Sequence, residues 1–195
     1  LTEGALAIRQ GAKFFASNLD TSLPIERGLA VGNGSLVAAI QSATGVEPVS
    51  AGKPEPAMFT FAAKQIGAKK PLAVGDRLDT DIAGGNSAAM DTFHVLTGVS
   101  GELELIEAPV ESRPNFVGAG MHELALPVSV ARPGAQGGFT ARCDGYDLLL
   151  EGGDEKSTSI QALRTVLEVA WAMPAPPRYI QPRSERAEKV VAQWR

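Results

Sequence analysis

The hydrophobic pattern is clearest in the middle of the chain. Met58, Phe59, Ala62, Ala63 and Ile66 recur at helical spacing behind Pro56, a two-column apolar face that predicts an amphipathic helix. Pro56 suits the first helical turn. The compact run Leu72, Ala73, Val74 predicts a short buried strand, and residues 92–97 (TFHVLT) predict another. Between them a helix begins near Asp81, with Thr80 as its expected cap. Helix, strand, helix, strand is the order of a parallel α/β sheet. Residues 102–112 are acidic and helix-like, residues 115–117 predict a last short strand, and residues 121–124 trail it.

The flanks read differently. Residues 1–10 look helical, with Gly11 as C-cap, so the chain is expected to begin inside an element of a longer protein. Residues 13–17 predict a strand, broken into a loop by Asn18, Asp20 and Pro24. Gly32-Asn33-Gly34 precedes a helical run at 35–43, ended by Gly45. Such a glycine turn can hold a phosphate, but no Lys-Ser/Thr follows, and a tight turn before a packed helix is the expected role. Composition shifts near Pro127, and residues 132–138 form a Gly- and Pro-rich loop. Residues 139–143 and 146–151 predict a hairpin around Asp144-Gly145. Thr158 with Gln161 makes a capping box, and Ile160, Leu163, Leu167, Ala170 and Trp171 share one face of the helix behind it. Residues 174–182 are expected to be extended and 184–194 helical. The division expected is therefore 1–50, 51–127 and 128–195, the last a separate small hairpin-plus-helix unit.

Composition narrows the function. The chain has 195 residues, 44% hydrophobic and 21% charged, with a formal net charge of −4, so no basic surface for nucleic acid is implied. Its one cysteine, Cys143, excludes an internal disulfide and a cysteine-based zinc site, and is expected to be a small packed residue. No apolar run approaches the ~18 residues of a membrane span, and no basic-then-apolar leader opens the chain. A cytoplasmic protein is the expectation, with no membrane partner.

Three positions carry candidate chemistry. Asp76 directly follows the Leu72 strand, which in a parallel sheet puts it at the C-terminal edge where ligands bind. Asp81 follows five residues later, and two carboxylates there suit a hard cation such as Mg²⁺. Asp is also common in turns and at helix N-termini, so the pair alone is not specific. Lys53 sits between Gly52 and Pro54, whose restricted backbone favours one side-chain direction, although most such lysines are solvated. His94 lies inside a strand without a second His or Cys and reads as a core or edge residue.

The order of Ser17-Asn18-Leu19-Asp20 with Leu23-Pro24, then Gly52-Lys53-Pro54, then residues 75–82 (GDRLDTDI) and 96–100 (LTGVS), resembles the haloacid-dehalogenase phosphatase superfamily. More narrowly it is similar to the p-nitrophenyl-phosphatase-like subfamily with a large α/β cap, over roughly residues 1–126, judged by motif order. The resemblance implies the C-terminal half of a Rossmann-like parallel-sheet core with part of an α/β cap. It makes Asp76 a direct Mg²⁺ ligand, Asp81 a support behind the metal, and Lys53 the lysine that neutralises the phosphoryl group. Asn18 and Asp20 become cap residues that contact substrate. One departure matters: the family's N-terminal D-x-D, which holds the nucleophile and the acid/base, has no counterpart here. The only D-x-D, Asp79-Thr80-Asp81, belongs to the later motif.

Residues 128–195, with the hairpin, Glu151-Gly152-Gly153-Asp154 and a Trp-containing helix, resemble the acetyltransferase-like α+β extension of actinobacterial glycerol-3-phosphate phosphatases. No Gly-rich acyl-CoA loop is present, so acetyl transfer is not expected, and a packing or dimerisation role is. The activity implied is Mg²⁺-dependent hydrolysis of small phosphomonoesters, glycerol 3-phosphate first among them, through an aspartyl-phosphate. The missing N-terminal half is the expected partner, with a homo-oligomer possible. The alternative is a non-catalytic interaction or regulatory module. A receiver-type phospho-acceptor ranks lower, because here the lysine precedes the aspartate.

Overall fold

In the computed structural model, residues 1–194 are described. The N-terminal third holds α1 (Thr2–Arg9), β1 (Phe15–Ala16), β2 (Ser22–Ile25), β3 (Gly28–Val31), α2 (Asn33–Thr44) and β4 (Val49–Ser50). α1 lies on α2, β2 and β3 form an antiparallel hairpin, and β1 pairs with β4 in parallel. Gly45 ends α2 in the left-handed region at φ 72°.

The middle third follows with α3 (Ala57–Gln65), β5 (Leu72–Gly75), a π-helical turn (Leu78–Ile82), α4 (Ala83–Ser87), β6 (Asp91–Val95), α5 (Glu102–Glu107) and β7 (Phe116–Gly118). The three strands are parallel in the order β5-β6-β7, with Gly75 opposite His94 and Phe93 opposite Phe116. The expected α/β alternation thus forms, and it sets the C-terminal ends of β5 and β6 side by side. The acidic run 102–112 is split. Pro109 lacks an N–H and holds Ala108 extended (φ −56°, ψ 131°), so α5 stops and a 3₁₀ turn at Val110–Ser112 follows.

A short α6 (Val128–Ala131) leads into β8 (Phe139–Asp144), β9 (Asp147–Gly152), α7 (Ser159–Ala170), β10 (Ile180–Pro182) and α8 (Glu185–Val191). The hairpin forms one residue later than expected. Asp144 pairs with Asp147, so the turn residues are Gly145 and Tyr146, and Gly145 supplies the positive φ of 63° that a two-residue hairpin needs. The Thr158–Gln161 capping box is present, Thr158 N–H donating to Gln161 Oε1 at 2.9 Å. Cys143 is exposed on β8, contrary to its expected packing: it shares a face with Phe139 and Ala141 but sits at the turn end of the hairpin, beyond the buried interior.

The interior of residues 128–195 is continuous with that of the sheet. Leu78, Ile82, Leu105, Ile106 and Val117 belong to one buried cluster with Phe139, Leu148, Leu150, Leu163, Val166 and Leu167. Polar ties cross the same boundary, among them those of Trp171 and Arg164. Trp171 Nε1 donates to Leu105 O at 3.0 Å, and Arg164 donates to Val117 O from Nε at 2.8 Å while pairing with Glu123. Arg164 is almost wholly buried.

Burial is uneven elsewhere. The apolar face of α3 forms as expected but is only partly covered: Phe59 rests on Gly84, while Ile66 is 82% and Met58 47% exposed. Strand β5 is buried only at Ala73, while Leu72 is 43% and Val74 36% exposed, against the expectation of a fully buried strand. Among the described residues no helix is long and apolar enough to cross a membrane.

Removing one partner of the Arg164–Glu123 pair leaves a charge in the interior without its counter-ion, a change that costs ~3–5 kcal/mol for buried pairs. Glu123→Ala is therefore expected to lower the urea unfolding midpoint sharply. The double change Glu123→Leu with Arg164→Met should recover most of the loss, and an unshifted midpoint in Glu123→Ala would show that the pair does not hold α7 to the segment after β7.

Candidate active site

Strand β5 ends at Gly75 because the next residues must turn out of the sheet. Leu78 and Ile82 are buried in the central cluster and anchor the π-helical turn, and Asp81 between them is turned back toward the strand end. Its Oδ2 accepts the backbone N–H groups of Asp76 at 3.2 Å and Arg77 at 3.1 Å. These amides precede a helical turn and would otherwise lack partners. Asp81 does what was expected of Thr80. Thr80 lies inside the turn, buried, and its Oγ1 has no hydrogen-bond partner, so it is not the cap. The approach of Asp81 requires Gly75: a Cβ there would sit 2.2 Å from Asp81 Cβ.

Lys53 arrives from the loop between β4 and α3. Its Nζ donates to Asp81 Oδ1 at 2.6 Å, with the lysine side chain 28% and the aspartate 12% exposed. Burial pulls the lysine pKa down, but the Asp81 hydrogen bond and the attraction of Asp81, Asp20 and Asp76 outweigh it and hold the pKa above its ordinary value. Lys53 is thus a fixed cation. Asp76 turns one oxygen inward, Oδ2 accepting the Val99 N–H at 2.9 Å from the loop after β6. Three of the sequence-predicted site residues, Lys53, Asp76 and Asp81, therefore meet at the C-terminal edge of the sheet.

The cap residues come close by another route. The loop after β1 packs on Gly52, where a Cβ would lie 1.5 Å from Ser17 O. Asn18 shapes this loop: its Oδ1 accepts the Asp20 N–H at 3.2 Å, and its carbonyl accepts from Asn33 Nδ2 at 2.8 Å. Asp20 Oδ1 is buried without a hydrogen-bond partner, 4.0 Å from Arg77 Nε. Asn18 is thereby engaged within the loop, while Asp20 faces the strand-end group.

Two participants were not read from the sequence. Arg77 binds Asp79 through Nε at 3.2 Å and Nη2 at 3.0 Å and reaches Ser22 Oγ at 3.4 Å. A basic residue alternating with Asp76 and Asp79 was the available signal. Ser100 closes the loop after β6, its N–H donating to Asp76 O at 3.0 Å and its Oγ accepting from Leu78 N at 3.3 Å. His94 is fully buried beneath it, as expected of a core histidine, with Nε2–H donating to Ser100 O at 2.9 Å.

The donor set can be tested against a metal. Among the described residues no group of three or more His, Cys, Asp and Glu is arranged to hold an ion. Asp76 offers one carboxylate with an oxygen not committed to Val99, and Asp81 is committed to Lys53 and two amides. This fits Mg²⁺, which is held by one or two carboxylates, retains waters and takes further oxygens from phosphate.

Residues 50–124 match the HAD-hydrolase-like family. Along its whole length the chain is similar to the D-glycerol 3-phosphate phosphatase of Mycobacterium tuberculosis, 39% identical over 208 aligned positions that cover 100% of this chain and 58% of that protein. A crystal structure of a glycerol phosphate phosphatase from M. tuberculosis in complex with magnesium aligns with a TM-score of 0.89 at 37% identity, covering 99% of this chain and 58% of the other. A 4-nitrophenylphosphatase from Thermotoga maritima aligns with a TM-score of 0.59 at 32% identity, over 65% of this chain and 49% of that one. The chain thus spans about half to three fifths of the length of these relatives. Residues 128–195 have their counterpart within the mycobacterial phosphatase, and an acetyltransferase likeness for them finds no support in these matches.

Burial of His94 pushes its pKa below the ordinary value, against the opposing pull of the Ser100 carbonyl, Asp76, Asp81 and Glu104. A depressed folded pKa means stability is fully present above the unfolded value of about 6.5 and is lost as pH falls below it. Unfolding free energy measured at pH 7.5 and 5.5 is expected to drop less in His94→Gln than in the wild type. An equal drop in both would show that His94 does not set the acid limit.

Proposed function

We propose that this chain carries the metal- and phosphate-binding half of a Mg²⁺-dependent phosphomonoester phosphatase. The observation that carries the reading is the convergence of Lys53, Asp76 and Asp81 at one strand end, a fixed cation beside carboxylates. Asp76 would hold the Mg²⁺, and Asp81 keeps Lys53 and the Asp76 backbone in place. The ion supplies Lewis acidity and orients the phosphoryl oxygens. Lys53 offsets the negative charge that gathers when a carboxylate attacks a phosphate.

The nucleophile belongs to a part of the protein outside these residues. In the first step its carboxylate oxygen forms a bond to phosphorus while the ester oxygen leaves and takes a proton. Water then cleaves the aspartyl-phosphate, releasing inorganic phosphate and restoring the carboxylate. That same N-terminal half is the partner we assign to the exposed apolar residues of α3 and β5. Their exposure is consistent with a sheet whose remaining layers come from the rest of a longer protein, as the 58% coverage of the mycobacterial relative allows. The division into residues 1–50 as cap, 51–127 as half-core and 128–195 as extension follows the same reading.

Glycerol 3-phosphate is the substrate we favour, supported by the similarity along the whole chain to the mycobacterial D-glycerol 3-phosphate phosphatase. Asn18 and Asp20 are assigned to the substrate side of the cap loop, since caps close over the leaving group. In the complete protein, Asp76→Asn should remove Mg²⁺-dependent hydrolysis with little loss of fold. Lys53→Ala should lower kcat by about a hundredfold or more, as expected for a charge used in the transition state. Residues 1–195 alone should show no turnover of p-nitrophenyl phosphate with Mg²⁺. An unchanged Mg²⁺ activation curve in Asp76→Asn, or turnover by the isolated chain, would contradict the assignment.

A further inference from the structure

Two contacts join the loop at 17–22 to the strand-end site. One is the backbone packing of Ser17 on Gly52. The other is Arg77, whose guanidinium is shared between the two sides. Its Nε and Nη2 edge is taken by Asp79 at 3.2 and 3.0 Å, its Nη1 reaches Ser22 Oγ at 3.4 Å, and its Nε stands 4.0 Å from Asp20 Oδ1. The Asp20 oxygen is buried and has no hydrogen-bond donor. A buried carboxylate oxygen in that position is tolerated only where cations lie close. Lys53 and Arg77 are the two cations whose fields reach Asp20. Lys53 is bound to Asp81 and committed to the phosphoryl site, which leaves Arg77 to hold the loop.

We propose that Arg77 is a positioning residue that registers the loop at 17–22 over Asp76 and Lys53, and so sets preference for phosphomonoesters whose leaving group carries hydroxyls. The proposal rests on the phosphatase reading for its substrate half and on geometry alone for its registration half. Arg77 inherits its own place from the fold, because Leu78 beside it is buried in the core and Asp79 grips its fork. Position therefore passes from Leu78 through Arg77 to Asp20 and Ser22. Without the guanidinium, Asp20 faces the carboxylates of Asp76, Asp79 and Asp81, and like charge pushes the loop off the site. Lysine cannot replace it: a single ammonium has no planar fork with which to grip Asp79 and still reach Ser22. A hydroxylated leaving group needs a fixed acceptor, which the accessible part of the Asp20 carboxylate, beside its buried Oδ1, offers, whereas an aryl group does not.

The test uses the complete protein as wild type, Arg77→Gln and Arg77→Lys. Amide hydrogen exchange is followed in residues 17–24 and, as reference, in residues 139–170. The ratio of kcat/KM for glycerol 3-phosphate to that for p-nitrophenyl phosphate is measured with saturating Mg²⁺. Both variants should exchange about tenfold faster at 17–24 with the reference segment unchanged, a local opening. The substrate ratio should fall by about tenfold, with the Mg²⁺ activation midpoint unmoved. Unchanged exchange at 17–24, an equal rise in both segments, or full protection in Arg77→Lys would overturn the registration. Faster local exchange with an unchanged ratio would overturn the substrate preference. A wild type that hydrolyses neither ester defeats the phosphatase reading and the preference together, while the exchange data still decide on Arg77.

Discussion

A lysine that closes to 2.6 Å on a carboxylate already gripping two backbone amides has little freedom left. That pair, Lys53 with Asp81, joins the loop before α3 to the turn after β5. It differs from exposed ion pairs, worth ~0–1 kcal/mol, because Asp81 is largely out of water and its second oxygen is satisfied by N–H groups of fixed position. The catalytic proposal depends on it. Asp76 is aimed by the same backbone amides, and the cap loop packs on Gly52, the residue next to Lys53. A charge fixed in this way needs no rearrangement when negative charge develops beside it.

The packing behind the site explains why the turn holds its shape. Leu78 and Ile82 bracket Asp81 and enter an interior that runs without a break into residues 128–195. The extension therefore braces the strand-end turn from behind, through β7, α5 and α7. Arg164 contributes by satisfying the Val117 carbonyl within that interior. On the opposite sheet face Phe93, Val95 and Phe116 are buried with Ala131, while Leu72 and Val74 of β5 and much of α3 are exposed, so the molecule is open at β5 and α3.

Much of this was legible in the sequence, for identifiable reasons. The α/β alternation over residues 56–96 follows from apolar spacing, and Asp76 at a strand end follows from topology. The hairpin and the Thr158 capping box have short-range chemistry that survives in any context. What the sequence did not disclose was long-range. Thr80 looked like a cap because local spacing favoured it, but Asp81 could reach the same amides once Gly75 left room. Arg77 carried no local signal for bridging to Ser22, a residue 55 positions away. The exposure of Leu72 and Val74 likewise reflects which layers cover the sheet, and apolar runs alone cannot report that.

The central claim, that this strand end is a phosphoryl-transfer site, is tested most directly by a crystal structure of the complete protein with Mg²⁺ and beryllium fluoride. The account predicts a Mg²⁺ about 2.1 Å from an Asp76 carboxylate oxygen. It also predicts a fluoride within hydrogen-bond reach of Lys53 Nζ and beryllium bonded to a carboxylate from the N-terminal half. A metal bound away from Asp76, or a fluoride complex remote from Lys53, would contradict it.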